Sequence, residues 1–346
     1  MRTIVVFCFA LLLTACDLGP KEHIIRVSGP TMGTQYHVAW VGTSDEIAGS
    51  LQEKIDARLK AINQSMSTYI ADSELSKLNK GELSQDEAGW VAISSDLTQV
   101  LAISLEIWQQ SAGRFDVTVG PLVNMWGFGP DARVEHAPDE SLIAAKLASI
   151  GSQFIELDVS KQRVRLLKPL YIDLSAVAKG WAVDQIAELV HQEGINSYMV
   201  EIGGELITQG SKPDNQPWRI AIERPQQLSQ DVMLVIEPNG LGVATSGSYR
   251  NYFEEKGTRY SHTIDPKTGH PITHKLVSVT VLQPQVGYAD AWATAITVAG
   301  PDAGMELAET LKLPIFMIVS QGDNVFAEQA SSEFKRLFSN ALKGGK

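Results

Sequence analysis

Apolar residues recur every three or four positions in several segments of the chain, which is the spacing of one face of an α-helix. In the first of these segments the apolar stripe is formed by Ile47, Leu51, Ile55, Leu59 and Ile62. This spacing predicts helices over 47–63, 97–111, 141–150, 173–193, 289–299, 303–312 and 332–342. Residue 173 or 175 is the predicted cap of the fourth helix, since aspartate and serine are favoured there.

Shorter segments alternate apolar with polar residues and are rich in β-branched and aromatic side chains, as β-strands are. The pattern predicts a strand or a hairpin over 24–40 and strands over 154–159, 163–167, 198–202, 206–208, 218–222, 232–236, 242–245, 260–264, 277–282 and 315–319. Segment 65–79 is polar and rich in hydroxyls, and segment 113–130 is predicted as a long loop. Because helices dominate the first half and strands the second, the pattern favours an α+β fold.

The start of the chain has the features of an export signal. An apolar run over 4–13 is too short to span a bilayer, and the residues Leu13, Thr14, Ala15 and Cys16 resemble the bacterial lipobox, whose cysteine is lipidated. An ordinary cleaved signal with an incidental cysteine is the less favoured alternative. We expect a lipoprotein signal peptide over 1–15 and a lipidated tether over 16–23. Asp17 after the cysteine implies an anchor at the periplasmic face of the inner membrane.

The charge and the cysteine content argue against several classes of protein. The 346 residues carry a formal net charge of −11 without a basic stripe, which makes nucleic acid an improbable partner. Both cysteines, Cys8 and Cys16, lie in the signal region, so the remaining chain must be stabilised by its core. The sequence has no CxxC pair or HExxH motif for zinc, and no GxGxxG or GxxxxGK(S/T) loop for a nucleotide.

Segment 173–184 places a lysine at the first turn of a predicted helix, on the buried face. A cation there opposes the helix dipole, so we expect a negative group nearby. Lys179 and the N–H groups of the first turn could hold a phosphate, with Gly180 allowing close approach. Alternatively, Lys179 pairs with a local carboxylate such as Asp173 or Asp184, and this stretch alone slightly favours that interpretation.

Asp290 and Thr294 lie four positions apart on a predicted helix and therefore share one face. Carboxylate and hydroxyl oxygens are hard ligands suited to Mg²⁺ if further oxygens complete the octahedron. The alternative is an N-capping aspartate with an incidental threonine. The alanines on either side of both residues would allow another segment to come close.

Segment 258–269 combines a predicted strand with a Pro-Lys-Thr-Gly turn. On that strand His262 and Ile264 would face one side, and Ser261 and Thr263 the other. A histidine with an ordinary pKa near 6.5 can act as a general base at neutral pH. The alternative is a structural histidine, which is the commoner role of a lone one.

Three further segments have features of a ligand site. Segment 113–130 offers the aromatic faces that a flat heteroaromatic ligand needs, although a loop packed on the core would use the same residues. The hydroxyls of segment 245–249 suit either a phosphate or a turn. Glu201 and Glu205 flank a short stretch with two glycines, which fits a tight two-residue hairpin.

Taken together, these motifs resemble the FAD:protein FMN transferase family, the ApbE-like lipoproteins. Each motif is weak alone, but their number and common order are specific. The matching segments are 31–34, 66–69, 73–79, 115–122, 126–129, 173–180, 201–204, 245–247, 261–266 and 290–294. The resemblance implies one catalytic domain over 24–342, made of two closely joined lobes with mixed or antiparallel sheets flanked by helices.

The resemblance also implies Mg²⁺-dependent transfer of the FMN half of FAD to a Ser or Thr hydroxyl of an exported acceptor protein, with release of AMP. Subunits of membrane redox complexes are the acceptors that the family suggests. By position, the implied FAD contacts are Met32, Tyr69, Phe115, Asp116, Asp173, Lys179 and Ile264, and the implied metal ligands are the carbonyl of Ala176, Asp290 and Thr294. Some relatives carry Thr in place of Ala176, Glu in place of Lys179, or Asp in place of Ala293.

We assign the general base of this reaction to His262, because of its place in motif 261–266. Two alternatives remain open at this point. The chain could be a Mg²⁺-dependent FAD pyrophosphatase, in which water replaces the acceptor hydroxyl. It could also be a non-catalytic flavin-binding lipoprotein that stores or delivers FAD.

Overall fold

The computed structural model describes residues 21–129, 136–224, 232–247, 252–255, 258–322 and 325–344. The predicted signal peptide and the lipidation site Cys16 lie outside these residues and stay predictions. None of the helices in the described ranges is long and apolar enough to cross a membrane.

Helices and strands occur in both halves of the described chain. The α-helices are α1 (Ala48–Met66), α2 (Glu74–Lys80), α3 (Ser95–Gln110), α4 (Gly120–Met125), α5 (Glu140–Leu147), α6 (Ala178–Gln192), α7 (Val286–Leu311), α8 (Ser332–Leu337) and α9 (Ser339–Gly344). The strands are β1 (His23–Thr31), β2 (Thr34–Gly42), β3 (Val91–Ala92), β4 (Ile155–Asp158), β5 (Arg163–Leu166), β6 (Tyr198–Ile202), β7 (Glu205–Gln209), β8 (Ser211–Lys212), β9 (Gln216–Pro217), β10 (Ile220–Glu223), β11 (Val232–Ile236), β12 (Gly242–Gly247), β13 (Tyr252–Glu255), β14 (Thr258–Ser261), β15 (Leu276–Gln283), β16 (Ile315–Gly322) and β17 (Val325–Ala330).

Eight of the strands form one sheet in the order β1-β2-β6-β7-β12-β15-β16-β17, and every neighbouring pair in it is antiparallel. Smaller groups are the three-stranded sheet β3-β5-β4 and the pairs β8-β9, β10-β11 and β13-β14. The predicted α+β class with antiparallel sheets flanked by helices is confirmed.

Both faces of the large sheet are covered, which explains the continuous apolar run in β16. Alternate side chains of a strand point to opposite faces. Ile315 and Met317 therefore join the main core, to which α1, α3, α6 and α7 contribute, whereas Phe316 and Ile318 pack in a second cluster with Phe334 of α8. Helix α7 lies against β12, β15 and α6, and so it brings residues of the last third of the chain to the centre of the fold.

Helix α7 is interrupted at Gly300, whose φ is 80°, and the next residue is a proline. Because Pro301 has no N–H, the carbonyl of Thr297 lacks its usual helical donor. Nε2 of His274 lies 2.8 Å from that carbonyl and donates in its place, while Nδ1 accepts the N–H of Leu276 at 3.3 Å. The imidazole is therefore neutral, and burial lowers the pKa of His274 below its ordinary value.

The start of α6 differs from the prediction. Ser175 donates its N–H, at 2.9 Å, and its hydroxyl to Asp173, and this local turn ends before the helix begins. The helix starts at Ala178, with Val177 as a cap that makes no side-chain hydrogen bond. The predicted cap at 173 or 175 is therefore wrong.

Other differences lie in short elements. Helix α2 begins within segment 65–79 and α4 lies within segment 113–130, and both helices are too short to show a helical period. The predicted helices 289–299 and 303–312 are the two parts of α7, segment 332–342 divides into α8 and α9, and β17 was not predicted. The strand predicted over 260–264 ends at Ser261, so His262 and Ile264 do not share a strand face.

Candidate active site

Two adjoining cavities lie beside the N-terminus of α6. The larger has a volume of about 1000 Å³ and the smaller about 410 Å³, and Ser175 and Lys179 line both. The two cavities therefore adjoin at the start of α6. Volumes of about 300–1,000 Å³ are typical of small-molecule sites.

The larger cavity receives two of the predicted FAD contacts, Met32 and Tyr69. Met32 and Gly33 form the two-residue turn between β1 and β2, with φ values of 49° and 72°. A methionine with a left-handed backbone conformation is uncommon, and such conformations often occur at functional sites. Tyr69 is 72 % exposed, so most of its ring is free to contact a ligand.

The smaller cavity receives the other predicted site residues, so the structure separates none of them from the two cavities. They are Phe115, Asp116, Asp173, Ala176, Lys179, His262, Ile264, Asp290 and Thr294. These residues come from four separate parts of the chain: the segment before α4, the start of α6, the segment after β14, and α7. Their individual roles stay predictions.

The carboxylate of Asp116 is largely engaged by its own surroundings. Oδ1 accepts the N–H and the hydroxyl of Thr118 at 2.8 and 2.6 Å, and the hydroxyl of Ser152 at 2.7 Å. Oδ2 accepts the N–H of Ser152 at 3.1 Å. This network shapes the cavity wall, which Phe115 continues with a buried ring.

Lys179 stands at the junction of the cavities between two buried carboxylates. Its Nζ is 2.9 Å from Oε2 of Glu205 and 4.0 Å from Oδ2 of Asp290. Burial by itself would lower the pKa of Lys179, but the two carboxylates raise it above its ordinary value, so the ammonium stays charged. The expected negative group is present, although the partners are not the sequence-local Asp173 or Asp184.

Helices α6 and α7 are in close contact at Gly180, and each helix accepts hydrogen bonds from N–H groups at the N-terminus of the other. A Cβ at Gly180 would lie 2.4 Å from the carbonyl oxygen of Val286. The N–H of Gly180 donates to Oδ2 of Asp290 at 3.0 Å, whereas Val286 and Gly287 donate to Asp184 at 2.8 and 2.9 Å. Burial raises the pKa of Asp184 to about 6, against the lowering effect of these two N–H groups.

Three residues with oxygen atoms that could bind a hard cation line the smaller cavity. A regular helix would direct the N–H of Gly180 to the carbonyl of Ala176, but Asp290 takes it instead. Within the described residues no backbone N–H donates to Ala176, so this carbonyl keeps its lone pairs. Thr294 lies one helical turn after Asp290. A carbonyl, a carboxylate and a hydroxyl fit Mg²⁺.

His262 lies just past the end of β14 and lines the smaller cavity together with Thr294 and Asp290. The ring of Phe128 meets its imidazole edge-on, with 6.4 Å between ring centroids. Ile264 follows in a single bridge to Pro271. The site residues after β14 thus lie outside a strand, and backbone hydrogen bonds such as that from Ile272 to Thr263 help to hold the segment.

Sequence reasoning missed two acidic residues of this region. Glu205 was explained by the glycine turn before it, and that turn is present, with Gly203 and Gly204 at φ values of 61° and 108°. The side chain of Glu205, however, is only 6 % exposed and reaches Lys179. Asp184 was considered only as a partner for Lys179. The signal that could have identified Glu205 is a charged residue at an inward-facing position of a short strand.

The sequence is similar to those of known proteins over nearly its whole length. The sequence profile of the ApbE family matches residues 32–317. A protein of Haemophilus influenzae named FAD:protein FMN transferase is 43 % identical over 340 residues, covering 96 % of both chains. A protein of the same name from Vibrio cholerae is 43 % identical over 345 residues, covering 98 % of this chain and all of its own.

A solved structure has the same fold. The crystal structure of the Pseudomonas stutzeri flavinyl transferase ApbE, in its apo form, superposes with a TM-score of 0.83 at 37 % identity, covering 92 % of this chain and 98 % of that one. Sequence and fold agree over nearly the full length of these proteins. The chain therefore belongs to the ApbE family.

Proposed function

We propose that this chain transfers the FMN half of FAD to a Ser or Thr hydroxyl of an acceptor protein and releases AMP. Relatives that span nearly the whole chain are named for FMN transfer from FAD to protein. The observation that carries the proposal is the pair of adjoining cavities that share Lys179. FAD consists of two nucleotide halves joined by a pyrophosphate, and a charged lysine at the junction suits this negative linkage.

The predicted contacts divide between the cavities in a way that supports a dinucleotide. Tyr69 offers an exposed aromatic face in the larger cavity, and Phe115 and Ile264 offer apolar walls in the smaller one. Lys179 alone contributes a cation to both. We therefore propose that the phosphates lie beside Lys179 and that the two halves extend away from it.

In the transfer, the acceptor oxygen forms a bond to the phosphorus of the FMN half. The bond from that phosphorus to the bridging oxygen breaks, and the bridging oxygen leaves with AMP and the electron pair. The proton of the acceptor hydroxyl passes to a base, which we assign to His262. Such reactions depend mostly on positioning and on stabilisation of charge.

Ala176, Asp290 and Thr294 would hold a Mg²⁺ ion through their oxygens, and this ion would neutralise charge on the pyrophosphate. Lys179 adds a fixed positive charge near the same phosphates. The buried Phe115 and Ile264 reduce the access of water, which would otherwise compete with the acceptor hydroxyl.

The experiment that tests the proposal mixes the purified protein with FAD, Mg²⁺ and a candidate exported subunit of a membrane redox complex. Mass spectrometry of the acceptor should show the added mass of FMN, and AMP should appear in equal amount. The control acceptor carries Ala in place of the modified Ser or Thr and should stay unmodified. A chelator should stop the reaction.

Two results would overturn transfer. AMP and free FMN formed without any acceptor, together with an unmodified acceptor, would identify an FAD pyrophosphatase. Bound FAD without AMP under every condition would identify a flavin-binding protein.

Replacing His262 by Ala should slow transfer by about 10²- to 10⁴-fold, the usual contribution of a general base. FAD affinity, measured by flavin fluorescence, should change little because the phosphates and the flavin keep their other contacts. His37→Ala is the control, since His37 pairs with Glu201 away from both cavities. A wild-type rate in His262→Ala across neutral pH would remove His262 from the mechanism.

We also propose that lipidated Cys16 anchors the protein at the periplasmic face of the inner membrane. The motif 13–16 supports this, and Asp17 supports the choice of membrane. A Cys16→Ser variant should move from the membrane to the soluble fraction while keeping transfer activity. If the variant stays in the membrane fraction, the anchor is not this cysteine.

A further inference from the structure

The position of Lys179 raises a difficulty for the proposed metal site. Its ammonium is 4.0 Å from Oδ2 of Asp290, the carboxylate that would bind the cation. A tethered monovalent cation this close competes with a divalent one for the same negative charge. If Lys179 paired fully with Asp290, the site would be closed to Mg²⁺ by its own side chain.

Glu205 provides the second position for this ammonium. Its Oε2 is 2.9 Å from Nζ, so Lys179 is nearer to Glu205 than to Asp290. The side chain of Glu205 is 6 % exposed, and its backbone is fixed at the first residue of β7, directly after a two-glycine turn. Gly203 of that turn would place a Cβ 3.2 Å from Cδ of Lys179, so the turn also confines the lysine stem.

Among the described residues, Glu205 lines the smaller cavity and has Lys179 as its ion-pair partner. Its Oε2 is buried and accepts no well-directed hydrogen bond from these residues, so the contact with Lys179 is an ion pair. A buried carboxylate without a partner is costly, and replacing it by an apolar side chain would serve stability better. Its presence is explained if the pair with Lys179 is needed for function.

We propose that Glu205 is a positioning residue that holds the ammonium of Lys179 away from Asp290 and so keeps Asp290 available to a divalent cation. This inference rests on the proposed function, because it takes Asp290 as a metal ligand. Glu205 acts through the place that it gives to Lys179.

The test is Glu205→Gln, which keeps the shape of the side chain and removes its charge. Mg²⁺ affinity is measured by calorimetry for the wild type and the variant in the same buffer and at the same pH. Mg²⁺ should bind at least about ten-fold more weakly, since Lys179 moves to Asp290 and one negative charge is lost. At saturating Mg²⁺ the kcat of transfer should return to near the wild-type value.

Two further variants distinguish competition by Lys179 from the simple loss of one negative charge. Removing the lysine from the first variant, as Glu205→Gln with Lys179→Met, should restore most of the cation affinity, because nothing then competes at Asp290. Glu201→Gln is the matched control, because it changes a glutamate on the facing strand of the same hairpin that pairs with His37 and accepts the N–H of Gly204. A glutamine oxygen can still accept that N–H, so this variant should bind Mg²⁺ as the wild type does.

Wild-type Mg²⁺ affinity in Glu205→Gln would overturn the inference while leaving the proposed function intact. So would a double variant that stays as weak as Glu205→Gln, since the loss would then not act through Lys179. Unchanged Mg²⁺ affinity in Asp290→Asn would overturn the metal site itself, and this inference with it. The calorimetric readout needs no transfer activity, so the two failures are distinguishable.

Discussion

The N-termini of α6 and α7 each donate backbone N–H groups to an aspartate of the other helix. The two aspartates differ in how many of their oxygens this uses. At α7, Asp184 accepts two N–H groups and uses one oxygen for each. At α6, Asp290 accepts the single N–H of Gly180 through Oδ2, and no described residue donates a hydrogen bond to Oδ1. Asp184 is therefore fully used in holding the helices together, whereas Asp290 keeps an oxygen for the cavity that it lines.

The comparison teaches that burial and a carboxylate are not enough to identify a site. Asp290 is buried and Asp184 is partly buried at one helix crossing, and both stabilise a helix N-terminus. What distinguishes Asp290 is the lone pair left over, together with the open carbonyl of Ala176 and the hydroxyl of Thr294 beside the same cavity. The capping role that the sequence allowed for Asp290 is real, but the helix it caps is α6.

The largest effect on stability and transfer is expected from a substitution that forces the N-termini of α6 and α7 apart. In Gly180→Ala the added methyl would lie 2.4 Å from the carbonyl oxygen of Val286 and 2.8 Å from Cβ of Asp290, so the helices must move apart. Overpacking of this kind costs about 1–3 kcal/mol or more. Thermal unfolding should shift to lower temperature and transfer should be lost. Gly49→Ala is the control, since its Cβ meets no atom within 4 Å. A variant that melts and transfers like the wild type would contradict the close contact.

Asp290→Asn should separate capping from chemistry at α6. The amide oxygen can still accept the N–H of Gly180, so the free energy of unfolding should change little. Transfer should fall by at least about 10²- to 10³-fold, as when a transition-state charge loses its stabilising group. Mg²⁺ dependence of the residual rate shows whether the cation site is lost. A large loss of stability with normal transfer would reverse our assignment.

Asp184→Asn should give the opposite result. An amide can accept only one of the two N–H groups and turns a donor toward the other, which costs about 1–3 kcal/mol. Below the melting temperature, transfer at saturating Mg²⁺ should stay near the wild-type rate. If this variant and Asp290→Asn behave alike, the distinction between the two aspartates fails.

The pH dependence of this stability cost has a definite sign. The pKa of Asp184 is raised to about 6 in the folded protein, above its ordinary value of 3.8. The folded state therefore holds the proton more tightly, and the stabilising contribution of Asp184 is lost as the pH rises through about 6. Denaturant unfolding should show a larger difference between wild type and Asp184→Asn at pH 5 than at pH 7.5.

The smallest effect is expected at the other end of the first part of α7, where His274 donates to Thr297. His274→Ala removes the hydrogen bonds of the imidazole to Thr297 and Leu276, each with a net value of about 0.5–1.5 kcal/mol. Because burial lowers the pKa of His274 below 6.5, its contribution is present above that pH and is lost as the pH falls through the folded pKa. Unfolding should show a larger cost at pH 8 than at pH 5, opposite in sign to Asp184→Asn. Equal costs would mean that the imidazole is not held neutral.

The sequence predicted the long regular elements well because they carry a strong period. The stripe of α1 from Leu51 to Ile62 is buried as expected, and β11 has the predicted bounds. The start of α6 was misplaced because the turn between Asp173 and Ser175 uses the same side-chain hydrogen bonding as a helix cap. The elements α2, α4 and β17 are either too short or too mixed in burial to give a period.

The candidate site was predicted residue by residue through family motifs, and the physical patterns alone supported a weaker statement. They indicated an anion near Lys179 and a hard-cation pair at Asp290 and Thr294. They did not connect the two, because Lys179 and Asp290 meet only when α6 packs on α7. Glu205 was missed since the glycine turn before it gave a sufficient local explanation.

The proposed cation site would also affect how the chain is held together. Its three oxygens come from residues 176, 290 and 294, on segments that adjoin only in the finished fold. Beyond residue 16 the sequence has no cysteine, so no disulfide can link them. A bound divalent ion would take that part as a reversible cross-link, and any ligand that binds only the native state adds about 2.7 kcal/mol at a hundred times its Kd. The protein with bound Mg²⁺ and FAD would then unfold at the highest temperature. The supply of Mg²⁺ and FAD would determine how long the protein stays folded.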